Sequence, residues 1–400
     1  MVAPMWARSN QAASEAMRSG PHGARGAVFD PDRHAGEDMA GFRLCLLPAR
    51  QAEGLCTAWR QVESRALVPD PFLHPLWLAA AARHDSGLRD LQILTVWRAG
   101  TLCGLFPLRA TNGFLTRSWQ IPRLHPAATG APFLLREEAE QVFAAACMML
   151  GTRATTLQFD LPQTASAFAT LVRNQSGGRA ARLREGALYQ PALRSRATVA
   201  GPEMIATLTF QRSSDAASLR SGVEHLLDCD ARAAARQRRP ALLQDVGTVN
   251  AIRAASRAMA DDKSCQVALL RNGEDVLAAA LVLFAHGRAV IWHEATHPAH
   301  PGAAMLLHER LAAALARRRD KPELAVTGNG LRGWRNCRLR LTARHDFLGG
   351  FARRRDASPD AADTHQLIRR AGRTGGNPGH NAAPSARPAG ATAPSSRRAS

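Results

Sequence analysis

The sequence predicts an α/β protein made of two similar lobes, each built around a mixed central sheet. A β-hairpin signature occurs twice, with turns at Ala99-Gly100 and Asn272-Gly273 between apolar strands. Each hairpin is followed by a helical stretch, which starts near Arg136 and again near Ala303, and then by a short apolar strand. Corresponding elements lie about 170 residues apart, a period far longer than that of a solenoid repeat, so the pattern indicates a duplicated lobe.

Composition divides the chain into four segments. Its 400 residues, 46% of them hydrophobic, are enough for two sizeable cores. Residues 1–40 and 351–400 lack apolar periodicity and are predicted to be disordered, the second being a tail rich in Arg, Pro and Ala. The first lobe then spans 41–200 and the second 201–350. Because Met39 directly precedes the first ordered-looking stretch, the natural start is either Met1 or Met39.

The first lobe opens with helices. Gln51–Ala66 and Pro75–His84 have helical spacing, and the second begins with proline, which is favoured in a first turn. The hairpin strands Leu91–Arg98 and Thr101–Arg109 follow. After the helix that starts near Arg136, Thr155–Asp160 is predicted to be a strand that completes the repeated series.

The second lobe repeats this order of elements. Its predicted strands alternate or are uniformly apolar, and its predicted helices have a 3.6-residue period. The elements are a strand at Ile205–Phe210, a helix at Ala216–Ala235, hairpin strands at Gln266–Arg271 and Val276–Phe284, a third strand at Ala289–Ala295, the helix from Ala303 and a strand at Glu323–Thr327.

The chain is strongly basic, with a formal net charge of +19. Of its 52 basic residues only Lys263 and Lys321 are lysine, and the arginines are scattered through helices, loops and the tail. A nucleic-acid groove requires a compact basic stripe with interleaved aromatic residues, which is absent. We therefore favour a compositional bias over nucleic-acid binding, and no nucleic-acid partner is expected.

The cysteines and the apolar runs indicate a cytoplasmic protein. The seven cysteines are widely separated and form no cluster with metal-ligand spacing, so we expect free thiols in a reducing compartment and no metal. The longest uncharged apolar run, Val276–Ala285, is too short to cross a bilayer, and the N-terminus does not resemble a signal peptide.

The segment between the third strand and the last long helix of the second lobe is a candidate anion site. Unpaired N–H groups at a helix start favour phosphate, and Gly302, Ala303 and Ala304 would let a pyrophosphate approach the backbone closely. His300 could add a donor. The alternative is structural, because His-Pro-Gly also simply ends a strand and starts a helix.

Several segments of the sequence resemble a known family. The resemblance covers about residues 42–350 and is most specific in the second lobe, where it is carried by LLDCDARAAARQRRPALLQDVGT from Leu226, VALLRNGEDVLAAALVLFAHGRAVIW, the Pro301-Gly302 helix start and Trp334-Arg335. In the first lobe FLHPLW from Phe72 and the later LFPLR carry it more loosely. These segments resemble acetyltransferases linked to bacterial cellulose and exopolysaccharide biosynthesis, which are double GNAT-like proteins related in fold to Fem-type aminoacyltransferases.

The resemblance implies two tandem GNAT-like lobes and transfer of an acyl group from acyl-CoA, typically acetyl-CoA, to an amine or hydroxyl acceptor. It also implies a setting in polysaccharide or cell-envelope biosynthesis and, as a partner, the polysaccharide-synthesis machinery. The chain departs from the family pattern at Ala234-Ala235-Arg236, in a shortened basic helix before that region, at Thr296-His297 and at Asn336.

Acyl transfer needs a group that removes the acceptor's proton. The nearest candidates are Glu294 and His297, which lie at the end of the third strand. Glu294 could equally be a solvent-facing strand residue, and His297, before Pro298, a turn residue. His74 and His125 are interpreted as loop histidines, and Trp97, Trp292 and Trp334 as core.

Three functions compete. The first is an acyltransferase with two GNAT-like lobes. The second is a catalytically degenerate member of that family that serves as a scaffold or regulator of an exopolysaccharide synthase, a hypothesis motivated by the departures. The third is a basic nucleic-acid-binding protein, motivated by the charge alone. No GxSxG, Walker or HExxH motif supports a hydrolase, nucleotidase or metalloprotease.

Overall fold

The predicted α/β class is confirmed, because helices pack against two mixed sheets in the computed structural model. The structure describes residues 29–34, 36–112, 117–154, 156–162, 167–175, 184–186, 207–318, 320–325 and 334–340. All of these fall within one compact unit that spans Met1–Phe347. Most of the segments predicted to be disordered lie outside the described residues.

The described strands are numbered in chain order. They are β1 (Gly36–Met39), β2 (Phe42–Pro48), β3 (Gln92–Arg98), β4 (Thr101–Asn112), β5 (Arg117–Ile121), β6 (Phe133–Leu134), β7 (Thr156–Pro162), β8 (Arg184–Gly186), β9 (Leu208–Ser213), β10 (Cys265–Asn272), β11 (Asp275–Ala285), β12 (Arg288–Thr296), β13 (Glu323–Ala325) and β14 (Trp334–Arg340).

The described α-helices join these strands, with short 3₁₀ turns between several of them. They are α1 (Cys56–Val62), α2 (Pro75–His84), α3 (Ala139–Gly151), α4 (Ala167–Gln175), α5 (Ala216–Gln237), α6 (Val246–Ala260) and α7 (Ala303–Ala316).

The two sheets share one strand order. In the first, β2-β3-β4-β5-β7 are neighbours, antiparallel except for the parallel pair β5–β7, with α3 between those two strands in the chain. In the second, β9-β10-β11-β12-β13 repeat this arrangement, with β12–β13 parallel and α7 between them. The equal strand order supports the duplication predicted from the repeated elements.

One strand of the C-terminal half lies in the first sheet. β14 pairs antiparallel with β7 and also with β8, with Trp334 opposite Pro162 and Gly186. The sequence placed Trp334 with the second lobe. The first sheet is therefore completed by a strand that follows the second lobe in the chain, and the boundary between the lobes at residue 200 stays a prediction.

The second sheet is covered on both faces. Its outer face packs on α7 through a small cluster that includes Leu270, Ile291 and Leu311. Its inner face, with Leu281 and Trp292, belongs to the main core, which also contains buried side chains of α5, α6 and the first lobe. The two lobes thus bury one continuous apolar interior.

Three features differ from the sequence predictions. Part of the N-terminal segment predicted to be disordered is ordered, because β1 pairs with β2 and Phe29 stacks on Trp97 with ring centroids 5.6 Å apart. Helix α6 was missed, since its glycine and β-branched residues obscure the helical period, although Asp245 caps it by accepting from the Thr248 N–H. The predicted strand at Ile205–Phe210 is shifted to β9.

A partly exposed polar cluster joins the lobes. Asp262, just after α6, accepts from the Arg60 guanidinium of α1, with Nε 3.0 Å from Oδ1. Its other oxygen lies 3.6 Å from Nε2 of His74. His74 also caps α2, because its Nδ1 accepts from the Leu76 N–H at 3.3 Å. Burial lowers the pKa of His74 to about 4, although Asp262 opposes that shift.

The packing of α5 on the second sheet predicts a measurable cost of added volume. A Cβ on Gly222 would lie 2.8 Å from Cβ of Val267, whereas the neighbouring Ser221 is exposed. We expect Gly222→Val to lower the free energy of unfolding by about 1–3 kcal/mol through overpacking. The matched change Ser221→Val should stay within about 0.5 kcal/mol of the wild type. Urea denaturation followed by circular dichroism tests this, and equal effects of the two variants would contradict the packing described.

His74 predicts a pH dependence of stability. Its pKa is lower in the folded protein than the ordinary value near 6.5, so between pH 6.5 and 4 the unfolded chain binds a proton that the folded chain does not. Stability should therefore fall on acidification across that window, by up to about 1.4 kcal/mol per pH unit from this group.

His74→Asn removes the titration and keeps a side-chain cap for α2. Urea denaturation at pH 6.5 and 4.5 should show a loss of stability that is smaller by about 1–2 kcal/mol in the variant. An identical loss in both proteins would mean that His74 does not titrate as its burial requires.

Candidate functional site

The candidate site lies where β12 ends and α7 begins. β12 pairs with β13 only over Arg288–Val290, while its pairing with β11 continues to Thr296. Among the described residues, the second half of β12 therefore has no strand on its β13 side. This half of β12 leads into the turn before α7.

A β-bulge decides which way the side chains of β12 point. The register with β11 shifts between Leu281 and Val282, which pair with His293 and Ile291, so Trp292 is the extra residue. Ile291 faces α7, whereas Trp292 and Ala295 belong to the main core between the lobes. Strict alternation from Ile291 would send position 294 into that core. The bulge reverses the alternation and brings Glu294 to the α7 face.

Glu294 contacts His308 on that face. Oε2 of Glu294 lies 2.6 Å from Nε2 of His308, which is on the second turn of α7. The side chains of Glu294 and His308 are 39% and 20% exposed, respectively, so the pair is open to solvent. An ionised carboxylate only accepts, so Nε2 of His308 donates when Glu294 is charged. The pair can receive a proton from a group that enters beside it.

His308 was missed by the sequence reasoning. The sequence offered one signal, because position 308 directly follows Leu307, an apolar residue of the helix predicted from Ala303. In the structure Leu307 is buried, and this helix packs against the strand that carries Glu294. The Glu294–His308 pair can be predicted only if the bulge is known, because the bulge turns Glu294 toward the helix. Without it, Glu294 and His308 would lie on opposite faces of the sheet.

His297 is occupied in the turn between β12 and α7. Its N–H donates to the Leu277 carbonyl at 2.7 Å, which extends the β11–β12 pairing. Its Nδ1 accepts from the Ala299 N–H at 3.3 Å, and its ring centroid lies 5.4 Å from that of His300. With Nδ1 engaged, only Nε2 of His297 is left for other contacts.

The start of α7 offers backbone donors. Gly302 precedes the first helical residue and provides no side-chain cap. The N–H of Ala303 donates to the His300 carbonyl at 2.9 Å. Within the part of the chain that the structure describes, the N–H groups of Ala304 and Met305 have no partner, and the first turn contains no acidic residue. Of the predicted donors Ala303 is engaged, so an anion would meet the N–H groups of Gly302, Ala304 and Met305.

The corresponding helix start in the first lobe is different. Glu137 and Glu138 precede α3 and Glu140 lies in its first turn. Glu138 pairs with Arg98 at 3.0 Å and Glu137 with Arg65 at 3.3 Å. Three carboxylates at this position disfavour a phosphate. The two helix starts are equivalent in topology and opposite in their fitness for an anion.

The first lobe holds β12 from the inner side of the sheet. Arg288, at the start of β12, donates to the carbonyls of Pro69 and Ala127 at 3.3 and 3.0 Å. At the bulge, the Trp292 ring lies 5.8 Å from that of Trp77, in an edge-to-face contact. The strand that carries Glu294 is thus fixed at two points by the other lobe.

Two half-buried histidines meet beside the bulge. The ring centroids of His125 and His293 are 6.2 Å apart, and Nδ1 of His125 accepts from the Ala127 N–H. Burial lowers the pKa of His125 to about 3, with a further contribution from His293. Burial also lowers the pKa of His293 to about 4, although Asp230 opposes that shift. Both rings are neutral near pH 7 and serve the packing between the lobes.

The structure also shows where other residues considered in the sequence analysis lie. Trp97 and Trp292 are core residues, as predicted, while the side chain of Trp334 lies outside the described set. The six cysteines with described side chains are free, and all but Cys56 are buried. In the described ranges, no cluster of His, Cys, Asp or Glu is arranged to bind a metal ion. No described helix is both long enough and apolar enough to cross a membrane.

The second lobe resembles a known protein family. Residues 192–321 match the family model described as "Acetyltransferase (GNAT) domain", which confirms the GNAT-like fold expected there. No curated protein sequence matches the chain.

The solved structures that are similar to this chain include the following three. FemX is 10% identical, with a TM-score of 0.40, 63% of this chain covered and 83% of that one. A tandem GNAT protein from the clavulanic acid biosynthesis pathway is 14% identical, with a TM-score of 0.34 and coverages of 74% and 98%. The C-terminal domain of a putative lysylphosphatidylglycerol synthetase from Agrobacterium fabrum is 14% identical, with a TM-score of 0.37 and coverages of 65% and 73%.

Proposed function

We propose that the protein transfers an acyl group from acyl-CoA, with acetyl-CoA as the first donor to test, to an amine or hydroxyl acceptor. The observation that carries this proposal is the Glu294–His308 pair, placed near a helix start that suits an anion. The match of residues 192–321 to the acetyltransferase domain supports the same chemistry.

The donor fits the residues at this junction. The N–H groups of Ala304 and Met305 are available to its pyrophosphate, and no carboxylate in the first turn of α7 opposes it. Gly302 leaves room for close approach, and His300 supplies a ring in the adjoining turn. Acyl-CoA, when bound, supplies an acyl carbon activated by its thioester. The acidic helix start of the first lobe argues that donor binding belongs to the second lobe.

Glu294 removes the acceptor's proton in this mechanism, directly or through a water molecule. His308 donates from Nε2 to the carboxylate and fixes its direction. As the acceptor nitrogen or oxygen bonds to the acyl carbon, its proton moves to Oε1 or Oε2 of Glu294. The carbon–sulfur bond breaks, and the thiolate regains a proton from Glu294 or from water. His297 is the reserve base, and its Nδ1 would first have to give up the hydrogen bond that it accepts from the Ala299 N–H.

The acceptor class and setting rest on the resemblance described above. It favours an amine or hydroxyl of cell-envelope polysaccharide, with the synthesis machinery as a partner and the cytoplasm as the location. The catalytically degenerate scaffold is the alternative, and the wild type's turnover distinguishes the two. Nucleic-acid binding would require strongly salt-dependent affinity for random DNA.

Gly302→Glu tests the anion site. The substitution places a carboxylate beside the unpaired N–H groups, so it should lower CoA affinity about tenfold or more, measured by isothermal titration calorimetry. Gly302→Gln adds a side chain of the same size without the charge and should lower affinity much less. If the Glu and Gln variants both bind as tightly as the wild type, the donor does not use this helix start.

Glu294→Gln tests the base. Loss of a positioned general base should reduce turnover by about 10² to 10⁴ and leave the Kd for CoA unchanged. Thioester cleavage, followed by release of free thiol across a panel of amines, sugars and acyl donors, provides the measurement. His297→Ala is the comparison variant and should lose far less activity.

Full activity in the combined Glu294→Gln and His297→Ala variant would remove both residues from the mechanism. Absence of turnover by the wild type over the whole panel, with CoA binding retained, would favour the scaffold.

A further inference from the structure

The α5–α6 hairpin ends in an exposed apolar tip. α5 stops at Gln237, and Arg238 takes a left-handed conformation with φ of +53° before the chain turns toward α6. Leu243 is 45% and Val246 67% exposed in the following segment. Among the described residues only Met305 is another large apolar side chain with such exposure, so the tip is an unusual place for two of them.

This tip is held rigidly. The buried carboxylate of Asp230 accepts from Nη2 of Arg239 and from the N–H of Leu242, both at 2.6 Å. Asp245 caps α6 through the N–H and hydroxyl of Thr248. Leu243 and Val246 are therefore exposed on an ordered turn whose backbone is tied to α5 and α6.

The charge at this end of the hairpin is positive. Arg232 and Arg239 are paired, with Asp228 and Asp230 respectively. Arg236 and Arg238 are exposed, and neither has an ion-pair partner in the described part of the chain. Two apolar side chains and two unpaired guanidinium groups thus share one short segment.

The opposite end of the hairpin carries charges of both signs, because Arg220 and Arg257 lie near its carboxylates. Asp215 caps the start of α5, and Asp261 and Asp262 follow α6. With 22 residues, α5 is about 33 Å long, so the two ends are well separated. Among the described residues of the hairpin, exposed large apolar side chains lie beside unpaired guanidinium groups at the tip and not at the other end.

We infer that this tip docks the protein on an anionic lipid bilayer. Leu243 and Val246 would enter the interface between headgroups and acyl chains, while Arg236 and Arg238 would contact lipid phosphates. Exposed aliphatic side chains add nothing to binding of a nucleic-acid backbone, and the tip has no aromatic residue on which bases could stack. The inference does not depend on acyl transfer.

Co-sedimentation of the full chain with vesicles tests the inference. The wild type should bind vesicles of phosphatidylglycerol and phosphatidylcholine in equal parts, bind more weakly at high salt, and leave pure phosphatidylcholine vesicles largely unbound. Arg236→Gln with Arg238→Gln should weaken binding about tenfold or more. Leu243→Ser with Val246→Ser should weaken it about tenfold without changing any charge.

The Leu243→Ser, Val246→Ser variant separates the tip from the arginine-rich residues after 351, because any contribution of those residues to vesicle binding would depend on charge, which this variant leaves unchanged. Arg220→Gln with Arg257→Gln is the matched control, because it removes the same charge from exposed positions nearer the opposite end of the hairpin and should leave binding close to that of the wild type. Circular dichroism melting curves verify that all variants fold.

Two results would overturn the inference. One is equal vesicle binding by the wild type and the Leu243→Ser, Val246→Ser variant. The other is no binding of the wild type to anionic vesicles, including the case in which it still binds random DNA or an acidic protein, since the tip would then serve a different partner.

Discussion

The candidate site depends on one extra residue in one strand. Trp292 forms a bulge in β12, and the reversed alternation after it points Glu294 at α7. The Trp292 ring itself lies in the core between the lobes, where it meets Trp77. A bulge costs ladder hydrogen bonds and is retained when packing supports it. Here that support comes from the first lobe, so the geometry of the second lobe's site is a property of both.

This dependence gives the duplication a physical role. The two sheets have the same strand order, yet only the second presents a helix start without carboxylates. The first lobe has Glu137, Glu138 and Glu140 at the equivalent position, and its arginines are engaged with two of them. One copy thus keeps features that suit an anion, while the other provides the surface on which β12 is fixed. β14, which follows the second lobe and pairs in the first sheet, ties the copies together further.

The inter-lobe surface combines apolar packing with polar groups, some of which have no hydrogen-bond partner among the described residues, as at Oδ2 of Asp262 and Nε1 of Trp77. Arg288 donates to backbone carbonyls of the first lobe, and Asp262 contacts Arg60 and His74. Buried histidines with lowered pKa values remain neutral near pH 7, which spares the interface the cost of an unpaired charge. The interface therefore holds the two lobes in one arrangement at neutral pH, and protonation of these histidines on acidification should destabilise it.

The sequence by itself determined the two α/β lobes, the hairpins and the helix that starts at Ala303, because alternation, turn residues and helical period are local signals. It also located Glu294 and Gly302 at the junction of β12 and α7. It could not find His308 or the direction of Glu294, because the bulge reverses the alternation and is stabilised by Trp77, more than two hundred residues away in the chain. Nor could it show that β14 completes the first sheet, since strand pairing between distant segments leaves no local pattern. The tertiary structure decided these points because side-chain direction and strand partners depend on which surfaces are buried together.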